Sequence, residues 1–303
     1  MTSVLSTVLL VVLAVVMFGI GLALTLADFT RVAASPRAVV VTLACQTVLL
    51  PAVCFGLVLA LDLSPTMALG MMLLAATPGG PMSTVLSRGA GGDVAVNVTV
   101  TAINAVLSLI TLPLITMFAL AWFRPGSSAV SVPPGKVLDV FAVMLVPMAI
   151  GMLVRRRAPA FALRMHRPVG VVSFVVVLLA IVLSVGQQFD FFLLGLVRIG
   201  FAVTAFCVLC LGLGYLVPRL FGIGHPQAVS AGLEIGIHNS VVAMTVAVAV
   251  LDIPEAAYAP ALYGAVKFVP ALAFVWLVRR RRPADTAVQE PEASAPRRPV
   301  ESH

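Results

Sequence analysis

Thr77-Pro78-Gly79-Gly80-Pro81 and Glu234-Ile235-Gly236-Ile237-His238-Asn239-Ser240 decide how this chain folds. Each interrupts an apolar run long enough to cross a bilayer, residues 66–86 in the first case and 228–251 in the second. Two prolines and two glycines within five residues oppose a continuous helix. The second stretch places a carboxyl, an imidazole and an amide in the middle of an otherwise apolar segment. Lipid cannot pair with open backbone groups, so breaks like these persist only where they are buried in protein or line a cavity. The two stretches therefore predict two broken membrane helices.

The rest of the chain supports a membrane setting. Of its 303 residues 61% are hydrophobic and 10% charged, and the mean hydropathy is +1.12. Soluble globular chains carry about 25% charged residues, so a water-facing shell cannot be built here. Both a soluble enzyme and a disordered chain are excluded. The net charge of +7 comes largely from arginines placed between apolar runs. That is the pattern of topology signals, and no nucleic-acid partner is implied. The four cysteines, Cys45, Cys54, Cys207 and Cys210, lie within apolar runs and read as small apolar residues on helix faces.

A spanning helix needs about 20 apolar residues. Nine runs qualify: residues 4–27, 38–61, 66–86, 94–122, 137–154, 169–186, 193–217, 228–251 and 256–278. The expected fold class is an all-α membrane protein of about nine transmembrane helices. The first run lacks a basic flank and is too long for a signal peptide, so it reads as an uncleaved span. With the N-terminus outside and the C-terminus inside, fifteen of the nineteen Lys and Arg residues fall on the inner side. Only Arg124, Lys136 and Arg198 fall outside, a strong positive-inside bias that suits a bacterial-type inner membrane. The remaining basic residue, Lys267, lies within the last span. The tail, residues 279–303, is rich in Arg, Pro, Ala and Glu and reads as a disordered cytoplasmic segment.

The breaks also imply a repeat. Residues 137–278 hold five spans, and residues 1–122 hold four, as though their unit lacked its first helix. Each break then falls in the next-to-last span of its unit. Interrupted spans at matching places in two inverted halves point to a transporter binding site.

These residues resemble a known family. Gly79-Gly80-Pro81-Met82-Ser83-Thr84, Gly92-Asp93-Val94-Ala95 and Glu234-Ile235-Gly236-Ile237-His238-Asn239 are similar to motifs of the bile acid:sodium symporter family, as are Val16-Met17-Phe18-Gly19-Ile20-Gly21-Leu22 and Gln46-x4-Pro51. The resemblance extends to about Val278. It implies inverted-repeat core and panel domains with two broken helices crossing at mid-membrane, in the nine-helix form. It also implies one sodium site drawing on Ser83, Thr84, Asn97, Thr101 and Glu234. A second would draw on Gln46, Glu234, His238 and the carbonyls of Ile235 and Ile237. The substrate end would use Pro81, Met82 and Asn239. The chain departs from the family pattern, which usually has Asn at Thr84, Ser or Thr at Asn97, Gln at His238, and a small residue or Thr at Pro81.

The chemistry of these residues can be weighed directly. A carboxyl at mid-span costs about 2.5–3.5 kcal/mol on insertion scales, so Glu234 needs a partner. Sodium favours hard oxygen donors, which Ser83, Thr84, Asn97, Thr101, Gln46 and Glu234 offer. His238 offers nitrogen, which leaves the first site intact and the second damaged. Lys267 stands twelve residues before Arg279, about 18 Å along a helix, too deep to snorkel easily. It either pairs with Glu234 or receives an anionic substrate, and with His238 it could replace part of the sodium dependence. The leading function is a secondary transporter that moves a small organic anion by alternating access. Bile-acid-like molecules, steroid conjugates, pantoate and keto acids are the substrate classes that the resemblance implies. No cofactor is expected beyond sodium as the coupling ion. The alternatives are an intramembrane metal-dependent enzyme using Glu234 and His238, four residues apart, and a sodium-independent or proton-coupled carrier. A channel is disfavoured by the absence of a filter motif.

Overall fold

The computed structural model describes residues 31–123, 134–165, 189–251 and 253–280, with isolated positions between 11 and 25 and between 168 and 175. The expected first and sixth spans fall largely outside these residues, as does the tail beyond 280. Among the described residues the chain is helical nearly throughout and contains no strand.

A short 3-10 turn, Arg31–Ala34, leads into α1, Pro36–Ala60. Within α1 the segment Cys45–Leu49 widens into a π turn. Pro51 is the cause: it lacks an N–H and its ring crowds the carbonyl of Thr47. The wide turn carries Gln46 into the protein interior. A tight corner follows, then α2, Pro65–Ala76, and α3, Pro81–Ala90. These are the two halves of the first broken span. Gly91 ends α3 with φ of 73°, a conformation that favours glycine. Asp93 then caps α4, Val94–Phe123, its Oδ1 accepting from the N–H groups of Ala95 (3.0 Å) and Val96 (3.1 Å).

Helix α5 is Pro134–Arg157 and α6 is Phe189–Leu220. The second broken span comprises α7, His225–Gly236, and α8, Ser240–Thr245, which continues as a π turn over Val246–Val250. A 3-10 turn, Pro254–Ala257, opens the last span, formed by α9, Tyr258–Val266, and α10, Phe268–Arg280. The step between them falls at Lys267, where Pro270 cannot donate to the carbonyl of Val266.

Four of these helices are long and apolar enough to cross a membrane: Pro36–Ala60, Val94–Phe123, Val197–Leu220 and Pro254–Arg280. They expose large apolar side chains freely, among them Val48, Ile110, Leu114, Leu216, Val269 and Leu272. Such a surface suits lipid, not water. The half-helices α2 and α7 are the opposite case. Every residue from Met67 to Ala76 and from Ala228 to Gly236 is buried. These two half-helices thus occupy the middle of the bundle, whereas α3 exposes Met82 and Val85.

Small residues let these helices approach closely. A Cβ on Gly232 would come within 3.1 Å of the Leu211 carbonyl, and one on Gly236 would overlap the Leu211 side chain. This is the seam between α6 and α7, built as membrane helix contacts commonly are. One end of the bundle is tied by polar contacts. Asp93 N–H donates to Pro226 O (3.0 Å), Gln227 Nε2 to Ser35 Oγ (3.1 Å), and Ser87 and Ser230 share a hydrogen bond of 2.6 Å. The start of α1, the α3–α4 corner and the α6–α7 corner therefore meet. Arg31, Arg37, Arg88 and Arg219 lie in or beside these segments.

Candidate functional site

The two breaks meet. Thr77 (ψ of 147°) and Gly80 (ψ of 165°) each precede a proline and are extended, as that position requires. Pro81 then opens α3, where a missing N–H costs nothing. The second break has no proline. Ile237 and Asn239 leave the helical region there, and the Asn239 Oδ1 accepts from Val242 N–H (3.4 Å) to restart the helix. The extended pieces pair antiparallel at Gly79 and His238. Gly80 N–H donates to Ile237 O (2.9 Å), and Asn239 N–H donates to Pro78 O (3.0 Å). Each break satisfies backbone groups that the other leaves open.

A polar cluster lies on one side of this crossing. Glu234, at the end of α7, is fully buried, as are Ser83 of α3 and Asn97 of α4. Ser83 Oγ donates to Glu234 Oε2 (2.6 Å) and lies 3.3 Å from Asn97 Oδ1. Thr84 Oγ1 donates to the same Asn97 oxygen (2.6 Å). Thr101 stands one turn further along α4, its hydroxyl on the Asn97 carbonyl (2.9 Å), and it also faces the Glu234 carboxyl. Glu234 Oε1 is buried without any hydrogen-bond partner. Three acceptor atoms here, two carboxyl oxygens and the Asn97 amide oxygen, are served by two hydroxyl protons, those of Ser83 and Thr84. The surplus of oxygen lone pairs around a buried carboxylate suits a hard cation. Gly79 makes the approach possible, since a Cβ there would overlap the carboxyl group of Glu234.

A second cluster lies along the crossing itself. Gln46 Nε2 donates to Thr77 O (3.1 Å) and touches His238 Nδ1 (3.4 Å). His238 Nδ1 is 3.2 Å from Thr77 O, and its Nε2 is 3.7 Å from Cys210 Sγ. The imidazole with its proton on Nδ1 satisfies both contacts, donating to the carbonyl and accepting from the thiol. Its ring stacks on Phe206, with centroids 5.5 Å apart and planes 13° apart. Tyr263 donates to Gly236 O (2.6 Å), and Lys267 Nζ donates to His238 O (2.9 Å).

The structure thus brings together Ser83, Thr84, Asn97, Thr101 and Glu234. It places Gln46, His238 and Lys267 in a separate group. No ion pair joins Glu234 to Lys267 among the described residues. The four-residue spacing of Glu234 and His238 does not put them on one helix face, because α7 ends at Gly236. Among the described residues no group of His, Cys, Asp and Glu could hold a metal ion in the manner of an enzyme site. Of the expected substrate residues, Met82 is exposed at the start of α3 and Asn239 is partly buried at the start of α8. Sequence reasoning missed Tyr263, Phe206, Cys207 and Cys210 as neighbours of the crossing. The only signal was their helical spacing, Cys207 to Cys210 and Tyr263 to Lys267.

Known proteins bear on this arrangement. The family model for the Sodium Bile acid symporter family matches residues 10–193, more than half of the chain. The chain is 29% identical over 242 residues to the "Uncharacterized sodium-dependent transporter YocS" of Bacillus subtilis, covering 78% of this chain and 72% of that one. It is 27% identical over 246 residues to the human "Ileal sodium/bile acid cotransporter", covering 80% of this chain and 69% of that one. These relatives are transporters, not enzymes. A family match across more than half of the chain, the apolar spans and the two crossed breaks lead to one conclusion: this chain is a membrane transporter that belongs to the sodium bile acid symporter family.

Proposed function

We propose that the chain is a secondary active transporter that couples sodium to the movement of a small organic anion by alternating access. The observation that carries this reading is the unpartnered, buried Glu234 Oε1 in an oxygen-rich cluster at the crossing of two broken helices. Sodium would bind among Glu234, Ser83, Asn97 and Thr84, with Thr101 behind them. Binding there neutralises a carboxylate that is otherwise costly at this depth. The anion, a carboxylate of the bile-acid, steroid-conjugate, pantoate or keto-acid class, would meet the half-helix starts at Pro81, Met82 and Asn239, where the helix dipole favours negative charge.

The segments 1–122 and 137–278 are read as inverted repeats that together form a core domain, which holds the crossing, and a panel domain, and these two domains rock against each other. The arginines near the tied end of the bundle face the cytoplasm, with the N-terminus outside, the C-terminus inside and the chain in the inner membrane. The two relatives, whose names describe a sodium-dependent transporter and a sodium/bile acid cotransporter, favour the same coupling ion.

A thermal-shift panel of carboxylates on the purified protein, run in sodium chloride and in choline chloride, tests the reading. Sodium should stabilise the wild type in a saturable way and Glu234→Gln hardly at all, and at least one carboxylate should add stability only with sodium. Equal responses in the two salts, with a dependence on pH instead, would favour a proton-coupled carrier.

A further inference from the structure

The broken end of α7 bears three successive carbonyls beyond the helical ladder, those of Gly236, Ile237 and His238. Unwound carbonyls at the C-terminal end of a half-helix are natural cation ligands, because the helix dipole is negative there. In this protein each of the three has a partner from the chain itself. Tyr263 hydroxyl holds Gly236 O (2.6 Å), with the Cys207 thiol 3.6 Å away, Gly80 N–H holds Ile237 O (2.9 Å), and the Lys267 ammonium (2.9 Å) shares His238 O with Ser240 N–H (3.1 Å). Of these partners only Lys267 is a cation.

Lys267 has no carboxylate partner among the described residues. Its neighbours are the carbonyl, the rings of Tyr263 and Phe268, each 5.7 Å from Nζ, and the Cys207 thiol, whose Sγ is 3.9 Å from the Lys267 carbonyl. An aromatic face and a carbonyl dipole are what a desolvated cation accepts in place of water. The step between α9 and α10 falls at this residue, and from there the half-buried side chain reaches the carbonyl.

We propose that the Lys267 ammonium is a resident cation at the helix crossing, occupying the carbonyl end of α7, so that the transporter takes up one external sodium ion per cycle. The proposal rests on the sodium reading of the Glu234 cluster given above. It also settles the charge of the cycle. With the Glu234 carboxyl ionised, as the sodium reading requires, the empty crossing holds one negative and one positive group, Glu234 and Lys267, beside the neutral His238 tautomer described above. One sodium and one monovalent anion add no net charge. Both the empty and the loaded crossing are then neutral, and both can change sides without carrying a charge through the low-dielectric middle. Two sodium ions with one such anion would leave the loaded state positive.

The test is a direct count of bound 22Na+ on the purified full chain in lipid nanodiscs, without any organic substrate. Wild type should bind one sodium per chain. Glu234→Gln should bind none, Lys267→Arg should bind one, and Lys267→Met should bind two, with a steeper saturation curve as sodium fills the vacated carbonyl end. Two ions bound to wild type would overturn the resident-cation proposal and leave the sodium reading standing. None bound to wild type would overturn both. A Lys267→Met protein that still binds one ion would overturn the resident role. If that variant fails to fold, the wild-type count decides alone.

Discussion

Replacing Gly79 by alanine should weaken sodium binding sharply while leaving the protein folded. A Cβ at this position would overlap Oε1 and Cδ of Glu234 and lie 2.6 Å from Oε2. An ordinary carbon–oxygen contact is roughly 3.4–4 Å, so the carboxyl must retreat by about 1 Å. The constraint is space and not conformation, because Gly79 is not among the glycines with positive φ. The obstacle is the far end of a side chain, which can swing away. Swinging away breaks the 2.6 Å bond from Ser83 and parts the carboxylate from Asn97 and Thr101. A hydrogen bond to a charged group is worth about 1.5–3 kcal/mol, which corresponds to roughly 10- to 100-fold in affinity. Gly80→Ala is the matched control. Its Cβ would meet only the Ile237 carbonyl, at 3.7 Å, and its extended backbone accepts alanine. Sodium titrations of thermal stability on the two variants supply the comparison. Unchanged sodium affinity in Gly79→Ala, or an equal loss in Gly80→Ala, would refute the placement of the cation beside Glu234.

Three further outcomes are expected. Ser230→Ala removes a buried hydroxyl that bonds both Ser87 Oγ (2.6 Å) and Asp93 O (2.8 Å), and should lower stability by about 1–3 kcal/mol, read as a fall in melting temperature in detergent. Tyr263→Phe deprives Gly236 O of its shortest partner and should cost about 1–3 kcal/mol as well, with anion-free sodium binding retained, since Tyr263 does not touch the Glu234 cluster. All four cysteines are buried and unpaired, so a maleimide should label none of them in the folded protein and all four after denaturation. Rapid labelling of Cys207 or Cys210 in the native protein would mean that the crossing opens to water along the α6 side.

The breaks were legible because their causes are local. Two X-Pro steps force extended backbone wherever they occur, and a carboxyl amid apolar residues marks itself. The grouping of the polar cluster came from the family resemblance, not from local causes. Its members come from α3, α4 and α7, yet each is a polar residue on an apolar helix and stands out. His238 and the cysteines were harder. The spacing from Glu234 to His238 suggests one face of a helix, but unwinding after Gly236 turns the imidazole toward Thr77 and Cys210 instead. Cys207 and Cys210 look like filler because a small apolar residue carries no sign of what it touches. Their contacts to Gly236 and His238 span nearly thirty residues and arise only from packing. The π turn at Gln46 had a local signal in Pro51, and the sequence reading did not use it.

The crossing explains why the two breaks must occur together. A single unwound segment inside a bilayer protein would leave several backbone groups unpaired, each costing as much as a lost hydrogen bond or more. Here Gly80 and Asn239 donate across, and Pro78 and Ile237 accept. Because Pro78 and Pro81 have no N–H to satisfy, the first break presents few donors, and the second supplies the acceptors for those that remain. The carbonyls left over on the second break then require donors from outside the pair, and Tyr263 and Lys267 of the last span provide them. The same satisfaction of backbone groups that lets a broken helix survive in lipid therefore brings a tyrosine and a lysine to the crossing, apart from the Glu234 cluster. The charge that could drive coupling is placed there by the need to pair the backbone.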